Sequence, residues 1–260
     1  MFYEKYLKMR EKNNSVLIVG LDSDTNKFNS KFSKDAIGIF EFNKYIIEQT
    51  NEYVCGYKPN IAFYEKHGYK GIQALEKTVE YIKKYTELPI IIDAKRGDIG
   101  NTAAAYAEAF FKYLKVDSIT INPYMGMETI NPYIELENSH VFVLGLTSNK
   151  GAKDFELEND LYLKVIKNVN EYNKKFKDKI GIVVGATNDE HIEKITKNSG
   201  NMVYLIPGIG AQGGSIEKLF KGLNGYKNIV INSSRGIIFS EDPKKSAKEL
   251  KENLNKARGL

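Results

Sequence analysis

Eight short, largely β-branched apolar runs recur along this chain, at Ser15–Leu21, Tyr53–Tyr57, Pro89–Ile92, Ser118–Ile121, His140–Leu146, Ile180–Val184, Met202–Ile206 and Ile229–Ile231. The third, Pro-Ile-Ile-Ile, has no polar alternation, which suits a strand covered on both faces, as in a parallel sheet between helices. Segments of helical periodicity separate the runs, among them Ala36–Thr50, Gly71–Tyr85, Leu161–Phe176, Ser215–Gly222 and Pro243–Arg258. Strand–helix alternation over 260 residues predicts an α/β fold, a single (β/α)8 TIM barrel spanning residues 1–260. A doubly wound open sheet is the alternative, because alternation alone does not prove closure. No Pro-, Gly- or Ser-rich linker divides the chain, and no repeat of fixed period stands out.

A barrel keeps its active site at the carboxyl ends of its strands, so polar residues should gather just after each apolar run. They do. The first run ends at Asp22, the second at Lys58, the third at Asp93 and Lys95. The fourth is followed by Asn122-Pro123-Tyr124, the fifth by Thr147-Ser148-Asn149, the seventh by Pro207–Gly214 and the eighth by Asn232–Gly236. Only the sixth, ending Gly185-Ala186-Thr187, is quiet.

The third run carries the densest chemistry, IIIDAKRGDIGNTAAAYAEAFF over Ile90–Phe111. Asp93, Lys95 and Asp98 are charges that a buried strand end does not carry unpaired. Asp93 and Lys95, two apart, share a side if the strand conformation persists. Gly97 and Gly100 permit a sharp turn, and Asn101 or Thr102 is suited to cap the helix that follows. A lone D-x-K is as readily a structural ion pair as an active site. With Asp22 and Lys58 it becomes an alternating acid–base cluster that a closed barrel brings into one mouth.

The loop PGIGAQGG, residues 207–214, precedes a helical segment. Glycines let backbone N–H groups approach an anion, and the helix amino end adds a favourable dipole. NSSRG at 232–236 brings Arg235, whose guanidinium fork matches phosphate. Loops after strands seven and eight are the usual phosphate site of such barrels. A dinucleotide fingerprint is disfavoured, since that motif belongs to an early βα unit with an acidic ribose ligand downstream.

Charge excludes more than it specifies. The 38 basic and 33 acidic residues are interspersed, giving +5 without the basic stripe that nucleic-acid binding requires. No apolar run approaches the ~20 residues of a membrane span, and MFYEKYLKMREKNN lacks the apolar core of a signal peptide. The single cysteine, Cys55, reads as a buried small residue in a reducing compartment, and cytoplasmic location is the expectation. His67, His140 and His191 are scattered without metal-ligand spacing, so no metal site is expected.

The segments VGLD (19–22), KPNIAFYE (58–65), DAKRGDIGNTA (93–103), NPYMG (122–126), LTSN (146–149), PGIGAQGG (207–214) and NSSRG (232–236) together resemble orotidine 5′-phosphate decarboxylase. The form DAKRGDIGNTA resembles the longer bacterial and protozoal branch of that family, and the likeness runs over nearly the whole chain. The resemblance implies a catalytic array of Lys58, Asp93, Lys95 and Asp98, with Asp98 reaching the site of a partner subunit in a homodimer with shared active sites. It implies that Asp22 and Asn60 contact ribose hydroxyls or support Lys58, and that Thr147 or Ser148 reads the pyrimidine ring. Thr102 and Pro207 join the implied substrate contacts. Gln212 and Arg235 would hold the 5′-phosphate, with Gly208, Gly210, Gly213, Gly214 and Ser234 forming its loop. No cofactor is implied. Two departures stand beside the motifs: Ser23 replaces an expected proline, and Leu146 stands where many relatives carry a basic residue.

The implied reaction removes CO2 from C6 of orotidine 5′-phosphate and leaves UMP. The departing CO2 leaves charge on a ring carbon with no electron sink, so fixed electrostatics and a proton donor must carry the step. Lys95, between two carboxylates, is the expected donor, with Asp93 beside the departing carboxylate. Three readings compete: a metal-dependent sugar-phosphate decarboxylase sharing D-x-K-x-x-D, a Schiff-base aldolase using Lys95 or Lys58, and a non-catalytic nucleotide-phosphate sensor. Flanking carboxylates disfavour the aldolase, and a sensor has no use for the charge cluster.

Overall fold

The computed structural model describes residues 1–176, 178–209 and 214–260. Eight strands form one sheet: β1 (Leu17–Leu21), β2 (Gly56–Pro59), β3 (Ile91–Arg96), β4 (Ser118–Ile121), β5 (Val141–Leu146), β6 (Ile180–Val184), β7 (Tyr204–Pro207) and β8 (Ile229–Ser233). Their order is β2-β1-β8-β7-β6-β5-β4-β3, with every ladder parallel. Single parallel bridges, Tyr57–Ile90 and Asn60–Asp93, draw β2 and β3 together and close the cylinder. The barrel is the expected one, and the open sheet is excluded.

Helices α1 (Phe2–Lys12), α2 (Ala36–Thr50), α3 (Ala62–Glu65), α4 (Gly68–Tyr85), α5 (Gly100–Ala107), α6 (Asn131–Ile134), α7 (Leu161–Phe176), α8 (Asp189–Asn198), α9 (Ile216–Leu223), α10 (Arg235–Ile238) and α11 (Pro243–Ala257) accompany the strands. Their starts follow local chemistry. Asp35 accepts from the Ile37 and Gly38 N–H groups at the head of α2, and Asp242 caps α11 with Pro243 in its first turn. Among the described residues no helix is long and apolar enough to cross a membrane.

Strand periodicity sorts the core into two layers. Leu17, Val19 and Leu21 face the helices, as do Tyr57, Ile92, Ile119 and Ile121. Ile18, Ile91, Phe142, Leu205 and Val230 fill the barrel interior, where Cys55 also lies, buried and free. Helix α1 closes the amino-terminal end of that interior with Phe2 and Tyr6, and the Tyr6 hydroxyl donates to the Ile229 carbonyl at 3.0 Å.

Several boundaries depart from expectation, β1, β5, β7 and β8 by one or two residues, and three departures bear on the site. The second strand begins at Gly56, not Tyr53, because Tyr53 N–H donates to the Thr50 carbonyl and extends the turn that ends α2. The strand therefore runs through Lys58 to Pro59. The third begins at Ile91 and runs on through Asp93 and Lys95 to Arg96. Neither Asn101 nor Thr102 caps α5; Ile99 holds the cap position and both polar residues lie inside the first turn. That helix then passes into a π-helical stretch over Glu108–Tyr113.

At the barrel floor His140 is 1% exposed, lies with its ring centroid 4.4 Å from that of Phe2 at a tilt of 33°, and shares a 2.8 Å hydrogen bond with Ser118. Burial pushes its pKa down to about 3. The unfolded chain binds this proton near pH ~6.5 while the folded chain refuses it, so stability falls as pH drops below ~6.5, by at most about 1.4 kcal/mol per pH unit. Urea midpoints between pH 7 and 5 are expected to decline in the wild type and to flatten in His140→Asn. Parallel declines in both would assign the acid sensitivity elsewhere.

Candidate active site

The polar site occupies the same interior face as the barrel core, one layer nearer the strand carboxyl ends. Two residues beyond Ile91 comes Asp93, two beyond Gly56 comes Lys58, two beyond Ser118 comes Thr120, and two beyond Val230 comes Asn232. Ile18 is followed on that face by Gly20 and then Asp22. Gly20 leaves room for the neighbouring strand end, since a Cβ there would lie 2.8 Å from Ser234 Cβ.

Asp93 is the hub. Its Oδ2 accepts from Lys58 Nζ at 2.6 Å, and its Oδ1 accepts from Lys95 Nζ at 2.6 Å and from Thr120 Oγ1 at 2.9 Å. Burial would raise the Asp93 pKa, but the Lys58 and Lys95 charges outweigh it and hold the carboxyl well below the usual carboxylate range. Lys58 is 3% exposed. Burial would lower its pKa, yet Asp93 and Asp22 raise it above the ordinary lysine value. The pair is therefore ionised across the neutral range.

Lys95 reaches this position through irregular backbone. The β3–β4 register shifts between Ile92 and Arg96, and Lys95 has φ +47°, in the left-handed region. Regular extension thus fails at Lys95, although its ammonium still meets Asp93. Such a conformation in a non-glycine residue costs of order 1–3 kcal/mol and persists only where surrounding contacts hold it.

Two adjoining cavities open at the strand carboxyl ends. The one of about 430 Å³ is lined by Asp22, Lys58, Asn60, Asp93, Lys95, Thr120, Thr147, Ser148, Pro207 and Asn232, among others. The one of about 330 Å³ shares Asp22, Asn60, Pro207 and Asn232 and adds Lys27, Gly208, Ser234 and Arg235. Asp22 Oδ1, Asn232 Oδ1 and Ser234 Oγ are buried without a partner among the described residues, so a ligand in this cleft can satisfy them. One end of the cleft is thus a lysine–carboxylate array and the other carries Arg235 and Lys27.

Asp98 and Thr102 line neither cavity of their own chain. Gly208 turns with φ +104°, and Gly214 N–H donates to its carbonyl at 3.1 Å. A Cβ on Gly214 would come within 2.8 Å of that oxygen. Gln212, Gly210 and Gly213 lie outside the described residues. Thr147 is held by Glu156, whose carboxylate accepts from its N–H at 2.6 Å and its hydroxyl at 2.7 Å. The Asn188 amide donates to the Thr147 carbonyl at 2.8 Å.

The two sequence departures have local accounts. Ser23 is buried and donates to Asn43 Oδ1 at 2.5 Å, and Asn43 donates to the Tyr64 hydroxyl, so the residue after Asp22 is tied into a buried polar network. Leu146 is fully buried on β5. The sequence places Asn232 at the end of the eighth run without giving it a role, and it carries no signal for Thr120, Lys27 or Glu156: Thr120 sits within an apolar run, and Lys27 and Glu156 lie on loop excursions with no periodic signal.

A parallel barrel with fixed opposite charges at one end of its cleft and cations at the other defines an enzyme for a small anionic substrate. The family model described as Orotidine 5′-phosphate decarboxylase / HUMPS family matches residues 15–250, and the chain belongs to that family. It is 45% identical over 254 residues to an orotidine 5′-phosphate decarboxylase of Bacteroides fragilis (strain YCH46), with 92% of each chain covered. The solved OMP decarboxylase of Leishmania donovani matches at TM-score 0.88 and 34% identity, covering 100% of this chain and 99% of that one. The orotidine 5′-monophosphate decarboxylase of Plasmodium berghei matches at TM-score 0.88 and 27% identity, covering 99% and 98%.

Proposed function

We propose that this protein is an orotidine 5′-phosphate decarboxylase, converting its substrate to UMP and CO2 without a cofactor, and that residues 1–260 work as one domain in the cytoplasm. The observation that carries the reading is the Lys58–Asp93–Lys95 array at the barrel mouth of a chain in this family. The pyrimidine lies in the larger cavity with C6 toward Lys95. Asp93 lies near the substrate carboxylate, Asp22 and Asn60 meet the ribose, and Thr147 and Ser148 read the ring. Lys95 stabilises the carbanion left by CO2 and protonates it at C6. Asp93 binds no proton at neutral pH, because it already accepts three hydrogen bonds. The test is loss of the orotidine absorbance when purified protein meets the substrate in EDTA. Activity that EDTA abolishes would favour the metal-dependent alternative.

The smaller cavity takes the 5′-phosphate on Arg235, Ser234 and Gly208, with Gln212 from the same loop. A charge-assisted bidentate contact is worth about 2–3 kcal/mol, so Arg235→Ala is expected to lower kcat/KM for the nucleotide by roughly 30- to 150-fold. Orotidine without its phosphate should be affected far less. Equal losses for both would move Arg235 out of the phosphate site.

The working form is a homodimer in which Asp98 completes the partner's site. Its position away from both cavities of its own chain supports this. So does the exposure of Ile99, Tyr124, Met125 and Phe155, large apolar side chains on the loops following β3, β4 and β5.

A further inference from the structure

Thr120 sits inside the apolar run of β4, 1% exposed, with its side chain on the interior face beside the larger cavity. Its Oγ1 accepts from the Ala94 N–H at 3.0 Å and from the Lys95 N–H at 2.9 Å. A threonine hydroxyl has two lone pairs and one proton. With both lone pairs engaged, the proton is directed to Asp93 Oδ1, 2.9 Å away. One hydroxyl therefore contacts three consecutive residues of β3.

Those residues are where the ladder fails. β3 pairs with β4 at Ile92–Ile119 and again at Arg96–Ile121, so the four-residue step on β3 faces a two-residue step on β4. The Ala94 and Lys95 N–H groups fall inside that irregular stretch, and the Thr120 hydroxyl takes the place of a ladder acceptor. It also offsets the cost of holding Lys95 at φ +47°. We propose that Thr120 is a positioning residue for the reaction: its hydroxyl pins the β3 bulge and so fixes the Lys95 ammonium and the Asp93 carboxylate in working geometry. The polarity matters as much as the contact. A donor aimed at Asp93 favours the ionised carboxylate and leaves its other oxygen to Lys58. Valine has the same shape and would satisfy the packing of the run, but it would leave two N–H groups without an acceptor beside a buried charge.

The kinetic consequence rests on the decarboxylase reading; the hydrogen bonds do not. Thr120→Val is expected to lower kcat on the order of 10²-fold, as small misplacements of a reacting group do, with KM and UMP binding changed less than about fivefold. Thr120→Ser, which keeps the hydroxyl and drops the methyl, should stay within about threefold of wild type. Amide hydrogen exchange supplies an arm that needs no turnover: the Ala94 and Lys95 amides should be protected in wild type and Thr120→Ser, and fast in Thr120→Val. The proposal is overturned if Thr120→Val keeps kcat within about threefold of wild type, or if Thr120→Ser is as impaired as Thr120→Val. It is equally overturned if both amides exchange rapidly in the wild type, a measurement that stands even should Thr120→Val fail to fold. A wild-type protein inert toward orotidine 5′-phosphate would sink the decarboxylase reading alone, and amide exchange would still judge the pinning.

Discussion

Lys95→Ala is expected to abolish decarboxylation while the protein stays folded and continues to bind UMP. Two contributions disappear together. Positioned proton transfer is worth about 10²–10⁴-fold, and a preorganised charge at a developing anion about 10²–10³-fold. They act in the same step and are not additive, so a loss of at least ~10⁴-fold is the expectation. The fold should tolerate the change for a specific reason. Asp93 keeps the buried Lys58 ammonium at 2.6 Å and the Thr120 hydroxyl, so its carboxylate is not left unpaired. Alanine at position 95 inherits the left-handed backbone at a strain similar to that of lysine. Lys58→Ala would be harsher structurally, because it removes the buried partner. The measurement is kcat for the purified variant beside its melting temperature and UMP affinity. Retention of more than about 1% of wild-type kcat without added amine would remove Lys95 from the proton-donor role.

Particular residues show how far this fold and site are legible in the sequence. Parallel strands covered on both faces read as uninterrupted apolar runs, so the Pro89–Ile92 stretch declares a covered parallel strand from its residues alone, without saying whether the sheet closes. The same double coverage hides the inside from the outside. Once the barrel is closed, Ile91 and Asp93 share the interior face, and the charges at the run ends become neighbours because the strands converge there. Lys58 belongs to the strand the sequence assigns it to, but lies within that strand and not beyond its end, since Tyr53 finishes a turn and the strand runs from Gly56 to Pro59. Thr120 is invisible as a functional residue because SITI is a good buried strand with either threonine or valine at its third position. The bulge at Lys95 arises from tertiary contacts that no local pattern encodes. Glu156 holds Thr147 from a loop excursion nine residues downstream, where neither periodicity nor a motif points back to the strand.

Asp98 leads to the second large expected effect. Within one chain its carboxylate lines neither cavity, and it accepts a 2.9 Å hydrogen bond from the N–H of its own neighbour, Ile99. If it completes the partner's site in a two-fold dimer, each active centre draws Lys95 from one chain and Asp98 from the other. Asp98→Asn and Lys95→Ala proteins should then each be nearly inactive alone and regain activity when mixed and re-equilibrated. A heterodimer holds one site with both lesions and one with neither. At equal mixing about half of the dimers are heterodimers with one good site of two, so roughly a quarter of wild-type activity is the ceiling. Mass-tagged chains establish that subunits exchange. With exchange demonstrated, activity that stays at the level of the separate variants would mean that Asp98 acts within its own subunit, and the shared-site dimer would have to be abandoned.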